Sequence, residues 1–187
     1  MQNPKLFKIV YLGSIKLVND IKQLIDAVSL LQSYPDIKLL IYGDGDQRES
    51  LQQYCQDNQI QNVSFKKKRI PLSHCAYVLS HSDLNILNYE KGFGDHGISA
   101  GKQMQSLGAG KPMVCNIPIK YDDVINDNHL GICELLDTPQ KYANAILKIY
   151  NMPKDEYNAM CKRVSEVAKR FDYKVLAEHL ISVLESN

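Results

Sequence analysis

The chain alternates between short, continuous runs of apolar residues and longer segments in which apolar residues recur every three or four positions. The continuous runs predict six buried strands, at 7–12, 37–42, 63–65, 84–87, 113–115 and 131–135. The periodic segments predict helices at about 20–31, 49–58, 71–79, 138–150, 154–169 and 173–184, with a further short helix that carries Lys102 in its first turn. Such alternation favours a parallel sheet covered on both faces. We therefore predict a single α/β domain over residues 1–187, a Rossmann-like three-layer α/β/α sandwich with a six-stranded parallel sheet.

Glycine-containing loops follow three of the predicted strands. Gly13 follows the first, Gly43 the second, and the segment 92–101 after the fourth contains four glycines. In parallel sheets, ligands bind beyond the carboxyl ends of the strands. A glycine-rich loop before a helix lets backbone N–H groups approach an anion, and Lys102 can add a full positive charge. This pattern predicts a phosphate or pyrophosphate site; the alternative is that the loop is a plain connector.

Composition and charge exclude several other classes. The formal net charge of +1 offers no basic face for nucleic acid. The five cysteines have neither metal-ligand nor redox spacing, which favours reduced core thiols in a cytoplasmic protein. No apolar run is long enough for a membrane span, so any membrane association is expected to be peripheral.

Two familiar nucleotide-binding motifs are incomplete in this chain, and a third catalytic motif is absent from it. The segment 43–48 begins like a dinucleotide fingerprint but lacks its third glycine, which argues against NAD. The segment 108–111 resembles the end of a P-loop, yet Pro112 stands where a magnesium-binding Ser or Thr is needed. No Gly-x-Ser-x-Gly elbow is present, and no His, Asp, Glu or Cys cluster has metal spacing, so we expect no metal and no cofactor.

Several segments occur in a characteristic order. Tyr11-Leu12-Gly13-Ser14 is followed by a Leu-Ile-x-Ala helix motif at 24–27, then by 40–45 and 63–65. The strongest block is 90–94 together with 102–112, which looks like a Glu-x-Phe-Gly loop and a Lys-x-x-Glu-Tyr-x-Ala-x-Gly-Lys-Pro helix. Together they resemble the C-terminal, donor-binding half of a family 4 (group 1) glycosyltransferase of the GT-B fold, over nearly the whole chain.

The resemblance implies a site for a nucleotide-diphosphate sugar, usually a UDP- or GDP-sugar. The implied reaction is retaining transfer to an acceptor glycan or lipid-linked glycan, without a protein-bound metal, as in polysaccharide biosynthesis. Backbone N–H groups and basic side chains would then neutralise the leaving diphosphate. Glu90, which matches the acidic residue near the donor sugar, and Lys102 are the candidate catalytic residues. The candidate donor-binding residues are Gly13, Ser14, Lys16, Gly43, Lys66, Lys67, Gly94, His96, Gly97, Ile98, Ser99 and Gln105.

The chain departs from the family pattern at three positions. The usual arginine and lysine of the first loop fall on Ser14 and Asn19, and Lys16 is the nearest basic group. Gln105 falls where a glutamate holds the nucleotide ribose; an amide can accept a hydroxyl hydrogen bond but loses the charge-assisted component. The basic run 66–69 is either a phosphate-side contact or a solvated loop. Two other functions therefore stay open: a non-catalytic GT-B-like interaction module, and half of a sugar-nucleotide epimerase.

The family's N-terminal acceptor domain has no counterpart in this chain. We therefore expect the isolated chain to be inactive without it. The full-length enzyme is expected to be cytoplasmic, either free or peripheral to the inner face of the membrane. The family's last helix crosses back onto that domain. Leu176, Leu180 and Leu184 are expected to form a stripe without its normal cover, which would favour self-association.

Overall fold

The sheet predicted from the apolar runs is present in the computed structural model, which describes residues 6–90, 92–96 and 101–185. Its strands, all parallel, are β1 (Phe7–Leu12), β2 (Ile37–Tyr42), β3 (Val63–Phe65), β4 (Leu84–Leu87), β5 (Met113–Cys115) and β6 (Gly131–Cys133). Their order is β3-β2-β1-β4-β5-β6. Successive strands are therefore added on one side of β1 up to β3 and on its other side from β4 onwards, which makes the gap between β1 and β4 the switch point of the sheet. Ligands of open α/β sheets bind at such a switch point. Only β6 is shorter than predicted, because its pairing with β5 ends at Cys133.

The predicted helices are also present, with ends that differ by one or two residues. They are α1 (Ile21–Ser29), α2 (Arg48–Asp57), α3 (Leu72–Ser80), α4 (Gly101–Gly108), α5 (Val124–Asp127), α6 (Pro139–Tyr150), α7 (Lys154–Ala168) and α8 (Tyr173–Glu185). The sequence pattern missed α5, a single turn too short to show a period. The Asp123 side chain caps it by accepting hydrogen bonds from the N–H groups of Ile125 and Asn126.

Helices cover both faces of the sheet because successive strand residues point to opposite sides. Ile9 and Tyr11 of β1 pack with α1, α2 and α6, whereas Val10 packs with Leu79 of α3. Further along the sheet, the second face is completed by α4 and α7, which pack on β4 and β5. Burial of each such side chain stabilises the fold by about 1.5–3 kcal/mol. The predicted three-layer architecture is thereby confirmed.

Helix α8 differs from the others because it buries none of its residues. Leu176, Leu180 and Leu184 are 44%, 60% and 68% exposed, so the predicted stripe is uncovered in this chain. Self-association through it stays a prediction. None of the helices in the described residues has the length and apolar character needed to cross a membrane. All five cysteines are free, and four of them are buried.

Candidate functional site

The loops after β1 and β2 meet at the carboxyl edge of the sheet, where the sequence placed Gly13 and Gly43. The Gly13 N–H donates to the Tyr42 carbonyl at 3.0 Å. Gly43 has φ of +142°, and a Cβ there would lie 1.7 Å from the Gly13 carbonyl oxygen. Only glycine fits this crossing, since both the positive φ and the close backbone approach exclude a side chain. The two glycines therefore bring the two loops into direct contact.

Lys102 extends from the first turn of α4 to the same place. Its Nζ donates to the Tyr11 hydroxyl and to the Asn88 carbonyl, each at 3.3 Å, and lies 5.5 Å from the centre of the Tyr89 ring. A Cβ on Gly13 would lie 2.7 Å from the Lys102 Cε, so these two predicted site residues are in contact. Within the described part of the chain, Lys102 forms no ion pair with a carboxylate.

Burial lowers the pKa of Lys102 from 10.5 to about 8, because the ammonium is removed from water without a counter-charge. The ionisable groups that face it are Tyr11 on β1, Tyr89 after β4 and Cys115 on β5. Burial raises the pKa of both tyrosines far above the usual range, so they stay neutral near pH 7. A bound anion would supply the charge that the site lacks.

The loop after β1 is held by side-chain hydrogen bonds that converge on Ser14. The Asn19 side-chain amide donates to the Ser14 carbonyl at 2.8 Å and to the Ser14 Oγ at 3.0 Å, and the Tyr11 hydroxyl donates to the same carbonyl at 2.6 Å. Asn19 thus orders the loop at a position where the sequence resemblance implies a cation. Lys16 is exposed on this loop, and its ammonium makes no hydrogen bond within the described residues.

The ends of β2 and β3 border a cavity of about 890 Å³. Lys66 and Lys67 line it together with Tyr42, His74 and Tyr77. These two lysines are therefore positioned at a concave surface, as the phosphate-side alternative for the basic run requires.

Lys68 is exposed like its neighbours Lys66 and Lys67, but it does not line this cavity. It makes long ion pairs with Asp44 at 3.8 Å and Glu49 at 3.7 Å, which are worth little in water. For Lys68, the structure fits the solvated-loop alternative.

A buried arginine that the sequence pattern did not single out joins the two strand ends. The Arg48 guanidinium donates to the carbonyls of Gly43 and Lys66 and lies 5.3 Å from the centre of the Phe65 ring. It is 4% exposed. An arginine immediately before a predicted helix carries no pattern that reveals such a role. Its partners are set by the pairing of β2 with β3.

Glu90 lies at the rim of a separate cavity of about 550 Å³. Asp20 and Asp137 also line this cavity, and none of the lysines and arginines among the described residues does. The Asn116 side chain fixes the backbone beside Glu90, since it accepts from the Tyr89 N–H at 2.9 Å and donates to the Tyr89 carbonyl at 3.0 Å. A carboxylate-lined cavity suits hydroxyl groups better than phosphate.

The remaining predicted residues follow β4 or lie on α4. Gly94 is buried, and a Cβ there would lie 2.0 Å from the Pro118 carbonyl oxygen, so close packing explains this glycine. His96 ends a short 3₁₀ turn, Phe93–His96. Gly97, Ile98 and Ser99 lie outside the described residues. Gln105 is half-buried on α4, one turn after Lys102.

A doubly wound parallel sheet with a cationic, glycine-bordered edge defines a Rossmann-like nucleotide-binding class of domain. The profile of the family described as "Glycosyl transferases group 1" matches residues 2–186. The chain therefore belongs to this family, which confirms the resemblance drawn from the sequence. A search of curated protein sequences gives no significant match.

In solved structures, the same fold forms one half of GT-B glycosyltransferases. HepE of Anabaena in complex with UDP has a TM-score of 0.78 at 16% identity, with 98% of this chain and 50% of HepE covered. The C-terminal domain of LpcC, a group 1 glycosyl transferase from Francisella tularensis, has a TM-score of 0.72 at 14% identity, with 89% and 86% covered. A TarM mutant of S. aureus, in complex with fondaparinux, alpha-GlcNAc-glycerol and UDP, has a TM-score of 0.69 at 20% identity, with 94% and 35% covered. The chain thus spans about a third of TarM and half of HepE.

Proposed function

We propose that this chain is the donor-binding half of a retaining glycosyltransferase and binds a UDP- or GDP-sugar. The observation that carries this proposal is the partly buried Lys102 ammonium, which lies against Gly13 at the switch point and has no carboxylate partner in the described residues. The UDP in the HepE and TarM structures supports the same ligand class. An acceptor glycan or lipid-linked glycan would bind to an N-terminal domain supplied outside residues 1–187.

The diphosphate would bind between the loop after β1 and the first turn of α4. Among the described residues, the Ser14 N–H has no hydrogen-bond partner, so it can donate to an anion beside Lys102. Lys16 on the same loop can add a second cation. During transfer, negative charge grows on the leaving diphosphate, and Lys102 would stabilise it without any change of geometry. The proposal does not require a metal ion.

The two cavities suit the other parts of such a donor. The cavity beside Lys66 and Lys67 offers Tyr42 and Tyr77 for a nucleobase, and Gln105 on α4 can accept a ribose hydroxyl. The carboxylate-lined cavity at Glu90 offers acceptors for sugar hydroxyls. In this arrangement Glu90 orients the donor sugar while Lys102 holds the leaving group.

A specific observation favours a second candidate, a non-catalytic interaction module of the same fold. Ser14 and Asn19, where the family has cations, are hydrogen-bonded to each other. A chain that no longer binds donor could keep this arrangement for stability alone. Half of a sugar-nucleotide epimerase is the third candidate; analysis of products without an acceptor would identify it.

Calorimetric titration with UDP, GDP, ADP and NAD tests the proposal. We expect saturable binding of UDP or GDP, no response to NAD, and loss of diphosphate binding in Lys102→Met. Lys148→Met is the matched control, because Lys148 is exposed in the last turn of α6. No binding by this chain, even with an N-terminal half supplied, would favour the interaction module instead.

A further inference from the structure

Tyr11 connects the two parts of the proposed diphosphate site through its hydroxyl group. The residue is fully buried on β1, and its ring packs in the core with α1 and α6. Its oxygen lies 2.6 Å from the Ser14 carbonyl oxygen and 3.3 Å from the Lys102 Nζ. The same oxygen lies 3.1 Å from the point that a Cβ on Gly13 would occupy. The hydroxyl is therefore directly beneath the first glycine loop.

The direction of these hydrogen bonds follows from proton count. The Ser14 carbonyl can only accept, so the single hydroxyl proton of Tyr11 is committed to it. Towards Lys102 the hydroxyl oxygen must then accept, and the ammonium donates. The ammonium polarises the hydroxyl, which strengthens its bond to the Ser14 carbonyl. Ammonium, hydroxyl and carbonyl thus form one ordered chain.

The Ser14 carbonyl receives a second donor, the Asn19 amide at 2.8 Å. With two donors, both lone pairs of this oxygen are satisfied inside the protein. An oxygen satisfied in this way presents less negative charge to an approaching phosphate. The loop and the ammonium are also held at a fixed separation, which a ligand that contacts both requires.

We propose that Tyr11 is a positioning residue, whose hydroxyl holds the Lys102 ammonium and the Ser14 carbonyl at the separation that diphosphate binding requires. This inference rests on the proposed function for its consequence, namely donor binding. Its physical core is the hydrogen-bonded chain itself, which can be examined without any ligand.

Tyr11→Phe removes the hydroxyl and keeps the ring that packs in the core. Tyr157→Phe is the matched control: its hydroxyl donates to the Asp83 carbonyl at 2.8 Å, beside the start of β4 at the opposite edge of the sheet. Both variants lose one phenol-to-carbonyl hydrogen bond, and Tyr11→Phe loses the bond from the Lys102 ammonium in addition. Thermal unfolding of both variants serves as the check on folding.

The first readout is the titration of the Lys102 amine, followed by NMR at its Cε. In Tyr11→Phe the ammonium loses one of its two acceptors, so its midpoint should fall by about half to one pH unit. Tyr157→Phe should leave the midpoint unchanged. An unchanged midpoint in Tyr11→Phe would overturn the inference.

The second readout is binding of UDP and of uridine. Tyr11→Phe should weaken UDP binding about tenfold and leave uridine binding unchanged, because only the diphosphate contacts the connected groups. Equal weakening of both ligands, or full UDP affinity, would contradict the inference. If the wild-type chain binds no diphosphate even with an N-terminal half supplied, the proposed function fails, and the Lys102 midpoint alone decides about Tyr11.

Discussion

Replacing Lys102 with methionine should stabilise the free protein while it removes diphosphate binding. Methionine has a similar length, is unbranched and adapts to irregular space, so it can fill the volume of the lysine stem. The substitution removes a partly buried ammonium that has two hydrogen bonds of 3.3 Å and no carboxylate partner in the described residues. The wild-type protein therefore carries a local cost that only a bound anion would offset.

The size of this cost follows from the pKa of Lys102, which burial lowers from 10.5 to about 8. A difference of about 2.5 units at about 1.4 kcal/mol per unit corresponds to about 3–4 kcal/mol against the charged form. Methionine leaves the Asn88 carbonyl without this donor, which costs about 1–2 kcal/mol. The free energy of unfolding should therefore rise by about 1–3 kcal/mol at pH 7.

The pH dependence gives the sign of the effect. Between pH 8 and pH 10.5 the unfolded wild-type chain binds the Lys102 proton and the folded chain does not, so wild-type stability rises with pH there. The cost is fully present below pH 8 and disappears towards pH 10.5. Tyrosines and cysteines that titrate in this window are shared by both proteins, so they largely cancel in the difference.

Urea unfolding of wild type, Lys102→Met and the exposed control Lys148→Met at pH 7 and pH 10 is the assay. The gain of Lys102→Met should be present at pH 7 and smaller at pH 10, whereas the control should stay within about 0.5 kcal/mol of wild type. A Lys102→Met protein less stable than wild type at pH 7 would refute the reasoning, as would a difference that does not change with pH.

Three other predictions concern the same edge of the sheet. Diphosphate affinity should fall above about pH 8, because Lys102 loses its proton there. Binding enthalpies measured at about pH 8.5 in buffers of different ionisation heat should show that the protein takes up a proton when the diphosphate binds. Gly43→Ala should destabilise the protein by more than about 3 kcal/mol in urea unfolding, because the new Cβ would overlap the Gly13 carbonyl. The control Gly108→Ala should be tolerated, because a Cβ at Gly108 meets nothing within 4 Å. Glu90→Gln should retain UDP binding but lower sugar transfer once an N-terminal half is supplied, and unchanged transfer would remove Glu90 from the proposed site.

The strands could be predicted closely because buried parallel strands are continuous apolar runs, and five of the six have the predicted bounds. The meeting of Gly13 and Lys102 followed from the rule that ligand loops gather at the carboxyl ends of strands. The helix α5 could not be predicted, since one turn shows no period. Its cap, Asp123, is visible only once the turn is known.

Residues that support the site could not be predicted from the sequence, because their hydrogen-bond partners are distant in the chain. Tyr11 and Lys102 are 91 positions apart, and the Asn88 side-chain amide reaches the carbonyls of Asn19 and Asp20. In the sequence, Tyr11 is one more aromatic residue in an apolar strand. Asn88 gave a weak signal, as a polar residue directly after an apolar run. Such contacts depend on the order of the strands in the sheet. The apolar pattern of each separate strand or helix does not predict that order.

The charge balance of the site explains why an isolated donor half should bind its ligand weakly. The diphosphate of UDP carries about three negative charges at neutral pH. The described residues offer Lys102 beside Gly13, with exposed Lys16 nearby, and Asn19 orders the loop where the family has a cation. The remaining neutralisation must come from backbone N–H groups or from a second domain. A site with this deficit gains more from closure against another domain than a fully charged one, because closure removes water and strengthens each remaining contact. The polar substitution at Asn19 is therefore compatible with a working donor half whose affinity depends on its partner domain.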